Sequence, residues 1–358
     1  MYKAFWKKDF ENRTKATLQW LEESIKATHY QGSAAYYHLW KGWAPAYPET
    51  TGYIIETLFD YADYFSDDHY KKLAVSCADW LCSIQYSDGS FPGGVGSNGQ
   101  PIIFDTGQIL FGLTRTYVET NEYRYLSAIE SAVQWLVENL QEDGSWQRFS
   151  YVEGYVPSYY TRVTWAILYA NAALKDEVIT QKMSFALQYY TAKITEQYTI
   201  QDWSFAPKKL AYTHTIAYTL EGMLESALIL QNKAIIIQIE KIIIKLVYLY
   251  QVEGKLAGRY DANWQGDYRF TCVTGNAQLS ILLCRFYEVS QDYSYHRFAI
   301  GFFEDIEAAP WTLPTKGLQG AIPGSQPLWG AYQRFAFPNW AAKFYLDAYL
   351  RLYKMQYE

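Results

Sequence analysis

The chain is poor in the residues that most often announce a chemistry. It has four cysteines, Cys77, Cys82, Cys272 and Cys284, and none stands in a Cx2C or Cx2H spacing, which argues against a zinc site and fits reduced thiols in a cytosolic protein. Histidine is scarce too, five in 358 residues. No run of 18 apolar residues occurs; the longest candidate, 234–249, is interrupted by Gln238, Glu240, Lys241 and Lys245, so no segment is expected to span a bilayer. The opening MYKAFWKKDFENR has neither the apolar core nor the small-residue cleavage site of a secretory signal, and a cytoplasmic location is expected. Positive charge is not in surplus. A net charge of −6 with scattered Lys and Arg leaves no electrostatic footprint for nucleic acid. The P-loop and GxSxG strings are missing, as are DxDD and DDxxD, and no cofactor or metal is expected. The Asp67-Asp68 pair opens a polar-faced segment, so terpenoid cyclisation is disfavoured.

Aromatic residues are what the chain does have: 13 Trp, 35 Tyr and 18 Phe, 18% of the total, against 19% charged and 11 prolines. Such a balance excludes disorder. At this size about 75% of the open chain's surface should be buried on folding.

A period near 55 residues organises the sequence. WLCSIQYSDGSF (80–91) and WLVENLQEDGSW (135–146) share a Trp-Leu start, a Gln and an Asp-Gly-Ser-aromatic end, with Gly89 and Gly144 separated by 55. Gly254 falls two periods further on, while the intermediate stretch EQYTIQDWSF keeps only Gln201 and Trp203. A second repeated element is an apolar helix started by Thr51, Thr106, Thr161, Thr215, Thr274 and, more loosely, Asn339. These alternate with six amphipathic helices expected at 9–27, 66–85, 122–141, 177–197, 232–251 and 290–308. The first set is apolar nearly all round, as for helices buried on every side; the second has one wet face. Asp-Gly at 88–89 and 143–144 fits a stop beyond an outer helix better than a β-turn. The expectation is an all-α (α/α)6 toroid, one domain over 1–358, with inner and outer helical rings and no strands of consequence.

The Trp-Gln-Asp-Gly-Ser elements resemble the QW-type repeats of squalene-cyclase-like toroids, a likeness of architecture. GWAPAYPETTGYIIETL (42–58), FDTGQILFGL (104–113), YYTRVTWAIL (159–168), HTIAYTLEGMLE (214–225), NWQGDYRFTCVTGNAQLSIL (263–282) and GSQPLWGAYQRFAFPNWAAKFYLDAYL (324–350) look like bacterial polysaccharide-biosynthesis proteins of the VpsJ type. That resemblance implies a six-hairpin toroid with a role in capsule, exopolysaccharide or O-antigen. It assigns no catalytic residue.

If the inner helices run the same way, the residues just ahead of each starting Thr line one mouth of a central funnel. Those positions hold Glu49, Asp105, Tyr159 and Tyr160 with Arg162, His214, Arg269 with Thr271, and Asn339, beside helix N-terminal amides that favour anions. Plainer alternatives exist. Asp105 fits a capping box with Gln108, Asn339 an N-cap, Glu49 a dipole-favoured first-turn carboxylate, and His214 a hydrogen-bonded core residue. Tyr218, one turn beyond His214, could join its hydrogen bonds. The insertion GRYDANWQGDYRF (258–270), with Trp264, Asp267 and Arg269, has the make-up of a sugar-binding loop, and Trp43 and Trp329 lie in other aromatic, Gly-rich loops.

The expected function is a carbohydrate-active enzyme of hydrolase, lyase or uronate-epimerase type. Glu49 and Asp105 would be acid and base, His214 or Tyr160 proton shuttles, and Trp43, Arg162, Tyr218, Trp264, Asp267, Arg269, Trp329 and Asn339 the substrate contacts. The expected partner is an oligosaccharide or polysaccharide, free or lipid-linked. The alternative from another class is a non-catalytic glycan-binding or assembly component of a polysaccharide synthesis complex.

Overall fold

The computed structural model describes residues 2–307 and 317–357, with side chains from residue 9 onward. The described residues form twelve α-helices in chain order: α1 (Tyr2–Ala27), α2 (Pro48–Phe65), α3 (Asp68–Ile84), α4 (Ile103–Thr120), α5 (Tyr123–Glu138), α6 (Thr161–Leu174), α7 (Glu177–Thr191), α8 (Thr213–Ile229), α9 (Lys233–Glu253), α10 (Val273–Ser290), α11 (Tyr293–Glu307) and α12 (Asn339–Tyr357). Each helix expected from the periodicity is present; the segment expected to end at 308 has that last residue outside the described ones. The even-numbered helices pack side by side in the order α2, α4, α6, α8, α10, α12 and back to α2, which closes an inner ring. Each odd-numbered helix backs one inner helix, with α1 against α12.

Local chemistry separates the two rings. Outer helices α3, α7 and α9 begin on capping side chains: Asp67 accepts from the His69 N–H at 2.9 Å, Asp176 from Val178 at 2.7 Å and Asn232 from Ile235 at 3.3 Å. Inner helices α2, α4, α6, α8 and α10 follow Tyr47, Ile102, Tyr160, Tyr212 and Cys272, none of which supplies a side-chain cap. The recurrent threonine instead ties the preceding loop to the helix. Thr51 Oγ1 accepts the Ser33 N–H at 2.9 Å, and Thr106 Oγ1 the Phe91 N–H at 3.1 Å. Glycine sets the ring's tightness: a Cβ at Gly112 would lie 2.1 Å from the Gly52 carbonyl oxygen, so α2 and α4 touch backbone to backbone.

Two expectations need correction. The Asp-Gly segments are β-turns: the Gly89 N–H reaches the Tyr86 carbonyl at 2.9 Å and the Gly144 N–H the Gln141 carbonyl at 3.0 Å. Asp88 and Asp143 then accept from the Ser90 and Ser145 amides at 3.0 and 2.9 Å. The diverged fourth copy keeps this turn at 195–199, with Tyr198 at φ 59° where the others have glycine. Short strands are also present: β1 (Tyr36–His38), β2 (Gly42–Trp43), β3 (Ala211–Tyr212), β4 (Arg259–Tyr260), β5 (Thr271–Cys272), β6 (Ser325–Gln326) and β7 (Ala336–Pro338). They latch mouth loops together in antiparallel pairs such as Tyr37 with Phe337 and Thr271 with Gln326. At two or three residues they are too short for alternation to register in a sequence.

Candidate functional site

A cavity of about 500 Å³ opens at the N-terminal ends of the inner helices, where first-turn residues Glu49, His214 and Trp340 reach it from α2, α8 and α12. Its lining is dominated by aromatic rings, with Tyr36 supplied by β1 and Tyr47, Tyr151, Phe205 and Tyr332 by loops. Phe104 and Tyr159 meet edge to face at 5.0 Å on one wall; His214 and Tyr218 lie 4.2 Å apart on another. The floor is Tyr53 and Tyr218, whose hydroxyls are 3.4 Å apart. Beneath it lies a layer of buried cations. Arg162 sits 4.6 Å under the Tyr218 ring, bonded to Gln108 at 2.8 Å and ion-paired with Glu221. Lys343 lies 5.6 Å from the Tyr53 ring and 2.5 Å from Asp347. The funnel is therefore blind, and both cations are neutralised from below.

Two carboxyl groups stand at this end of the toroid. Glu49 lines the cavity yet is only 6% exposed; burial, reinforced by the nearby Asp105 charge, pushes its pKa up to about 8, against hydrogen bonds with Tyr47 and Tyr53 and the pull of Arg162. Asp105 is fully buried behind the rim, and desolvation raises it to about 7 although Tyr151 and the Gly94 amide both donate to it. The distances are 2.6 and 2.8 Å from the Tyr151 hydroxyl and 2.7 Å from the Gly94 N–H. Tyr47 and Tyr151 hydroxyls are themselves 2.8 Å apart. Tyr47, Tyr151 and Asp105 thus form one hydrogen-bonded chain, with Glu49 close to its Tyr47 end.

His214 is 3% exposed, and burial drives its pKa down to about 3, so the ring is neutral at physiological pH. Its Nδ1 lies 2.6 Å from Gln278 Oε1; with the proton on Nδ1, Nε2 is left as an acceptor. A base that weak is not a proton shuttle near neutrality, which corrects the expected role.

The cavity therefore brings together Glu49, His214 and Tyr218 of the expected set, with Asp105 one hydrogen bond behind. The capping reading of Asp105 does not hold, because Ile102 is the cap position and the carboxylate binds a separate loop. The other expected residues lie elsewhere. Tyr160 is buried behind the wall and bonds Ser150 at 3.0 Å, while its neighbour Tyr159 lines the cavity. Arg162 belongs to the layer under the floor, where its charge is spent on Glu221. Trp43 packs against Trp20 and Tyr37 at 4.6 and 5.2 Å. Trp264 is wedged between Trp203 and Tyr260, its indole N–H on the Gln197 carbonyl at 2.9 Å. Asp267 is bound by Arg269 and Arg259, whose guanidinium groups hold its carboxyl well below the usual range. The Arg269 side chain is 82% exposed and Trp329 64% exposed, and neither lines the cavity. Asn339 is a clasp: it accepts from the Trp20 indole at 3.0 Å and donates to the Ala34 carbonyl at 2.5 Å. Sequence reasoning missed Tyr47, Tyr53, Tyr151 and Tyr332. A tyrosine placed directly before the Pro48 that starts α2 was the only local cue to Tyr47.

A blind aromatic cavity at the mouth of a six-hairpin α/α ring, with one buried carboxyl in its wall and a second behind it, defines the class. The model of the squalene-hopene cyclase C-terminal domain matches residues 43–223, just over half the chain, and the chain belongs to that family. No curated protein sequence matches it. Among solved structures it is similar to an unsaturated glucuronyl hydrolase specific for heparin, with 15% identity, a TM-score of 0.75 and 97% of each chain covered. It is also similar to the unsaturated glucuronyl hydrolase of Bacillus sp. GL1 (12% identity, TM-score 0.76, 96% of each chain). A third is the cellobiose 2-epimerase of Bacillus thermoamylovorans B4167 (12% identity, TM-score 0.70, 98% of this chain and 100% of that one). These likenesses establish the toroid fold. Among the described residues no helix is long and apolar enough to cross a membrane, and no cluster of His, Cys, Asp and Glu is arranged to hold a metal ion.

Proposed function

We propose that the protein is a glycan-acting enzyme that hydrolyses the end of an oligosaccharide, with Glu49 as general acid. The observation that carries this is a carboxyl in the wall of an aromatic cavity, its pKa raised to about 8, so that it keeps its proton at neutral pH. Sugar rings present C–H faces to Tyr and Trp and hydroxyls to phenols and to His214 Nε2, which the lining matches. A blind floor suits a chain end. The same protonation argues against lyase and epimerase chemistry, because both must first remove a proton from carbon. Glu49 holds its own proton, and His214, with a pKa of about 3, is too weak a base. The hydrolase and epimerase activities named for the structural neighbours lend support at the level of the fold. A place in bacterial surface-polysaccharide metabolism, on a free or lipid-linked glycan, rests on the VpsJ-type resemblance.

The test is incubation with saturated and unsaturated oligosaccharides released from bacterial surface polysaccharides, read by mass spectrometry as cleavage with gain of one water. Glu49→Gln should lower turnover by about 10²–10⁴-fold. Full turnover by the variant would remove the assignment.

A further inference from the structure

One helix of the outer ring is apolar on both sides. Helix α9 buries Ile235, Ile239, Ile242, Ile243 and Leu246, as an outer helix should. Its outward side carries Ile237, Ile244, Tyr248 and Val252, each between 53 and 60% exposed. Steps of seven, four and four residues hold these four on a single stripe along the helix. The other outer helices differ. Among the described residues α3 exposes no large apolar side chain, α5 and α11 expose only their opening Tyr123 and Tyr293, and α7 exposes Val178 and Phe185. The α9 stripe leaves on the order of 400 Å² of apolar surface in water, a size at which an exposed patch is often a contact surface. Charge on the same side has one sign. Lys233, Lys241 and Lys245 share the arc of the stripe, and Lys255 lies just past the helix end. Lys241 stands 6.0 Å from the Tyr198 ring and Lys245 5.2 Å from the Tyr248 ring, so rings and ammonium groups form one surface. The two acids of the helix point elsewhere: Glu240 accepts from the Tyr295 hydroxyl of α11 at 2.6 Å, and Glu253 faces away from the stripe. Even with Glu196, exposed on the flanking turn, the stripe and that turn stay net positive. The chain's net charge of −6 conceals this.

We propose that the outward face of α9 docks the toroid on an anionic lipid surface, with Ile237, Ile244, Tyr248 and Val252 entering the headgroup layer and Lys233, Lys241, Lys245 and Lys255 meeting lipid phosphates. Interleaved lysines would be stranded without water in a dry protein interface. At a bilayer surface each lysine stem lies along the apolar layer while its charge stays among the headgroups. Tyr248 suits the same depth, with its ring in the apolar part and its hydroxyl in the wet part. A second copy of the chain fits less well: laid antiparallel across the middle of α9, it would set Lys241 opposite Lys245, like charge on like. The position of the helix gives docking a consequence. The C-terminal end of α9, capped at Gly254, leads into β4, which pairs with β3 directly before α8, so this end of the helix is at the cavity mouth. Docking by α9 sets that mouth beside the lipid, where a glycan carried on a lipid would be presented.

Co-sedimentation of the full-length protein with vesicles tests this, comparing phosphatidylglycerol mixed into phosphatidylcholine with phosphatidylcholine alone. The wild type should pellet with the mixed vesicles, bind the neutral ones about tenfold more weakly or worse, and be released as added salt screens the surface charge. The Lys241→Glu, Lys245→Glu double variant should lose about tenfold or more in affinity for the mixed vesicles. Ile244→Ser with Tyr248→Ser should lose a comparable amount through the apolar contact. All four side chains stand at the surface, so both variants should keep the wild-type Tm. A wild type that does not pellet with the mixed vesicles, or a double variant that pellets as well as the wild type, overturns the proposal. So does a wild-type dimer in light scattering that Ile244→Ser with Tyr248→Ser returns to monomer, because the stripe would then belong to a second copy. No glycan is turned over in the assay, so docking can fail while the hydrolase reading stands, and the converse also holds.

Discussion

At the residue scale the site rests on carboxyls whose protons are retained by burial. Their unfolded values are near 4.5 and 3.8, and the folded ones about 8 and about 7. Between those limits the folded chain binds protons that the unfolded chain has released, so stability falls as pH rises through the window. Wild-type Tm should therefore drop between about pH 5 and pH 8, and the Glu49→Gln, Asp105→Asn double variant should show a flatter profile in calorimetry. A profile unchanged by the two substitutions would mean that neither group is perturbed. Glu49, Asp105, His214 and Tyr218 were legible in the sequence because each stands within three residues of a repeated threonine. Tyr47, Tyr53 and Tyr151 were not, because in a chain with 35 tyrosines nothing local distinguishes a phenol that bonds a carboxyl from one that packs.

At the element scale, helix spacing and the inner-outer division followed directly from a 55-residue period and from which helices had a wet face. What the pattern hid was the turn chemistry. Asp88 and Asp143 close their turns on Ser90 and Ser145, and the fourth copy does the same job with Tyr198 in the left-handed region, a substitution that erases the glycine a repeat search looks for. Trp264, Asp267 and Arg269 misled for a related reason: rings and ion pairs that suit a sugar also brace a loop, here β4 against β3. The inner ring's dependence on close backbone contact makes a firm prediction. Gly112→Ala puts a methyl into the Gly52 carbonyl, and should cost about 1–3 kcal/mol of stability, measurable as a lower midpoint in chemical denaturation. An unchanged midpoint would show that α2 and α4 can separate freely.

For the whole molecule, the toroid must join its last inner helix to its first, and the structure does so at Asn339. Its amide spans α12, the Trp20 indole of α1 and the Ala34 carbonyl, next to the ladder pairing β1 with β7. The sequence placed Asn339 at the right position in the sixth repeat but suggested a cap or a substrate contact, since closure of a ring is a long-range event that no local window contains. Asn339→Ala leaves the buried Trp20 indole N–H without its acceptor, while the Ala34 carbonyl keeps the Ser33 hydroxyl, and should destabilise the fold by roughly 1–3 kcal/mol, seen as a lower Tm and as faster amide exchange in α1 and α12 than in α4 to α8. Uniform exchange would place the weak point elsewhere. The closed ring in turn fixes the cavity: six inner helices converge, an aromatic floor seals the funnel over Arg162 and Lys343, and Glu49 is left facing the space above.

The most direct test of that picture is a crystal structure of Glu49→Gln soaked with an oligosaccharide that the wild type cleaves. The account predicts a terminal sugar against Tyr53 and Tyr218, with the scissile oxygen or the double bond of an unsaturated ring about 2.6–3.2 Å from the residue 49 amide. A glycan bound only along the outer loops, around Trp264 and Arg269, with the cavity empty, would contradict it.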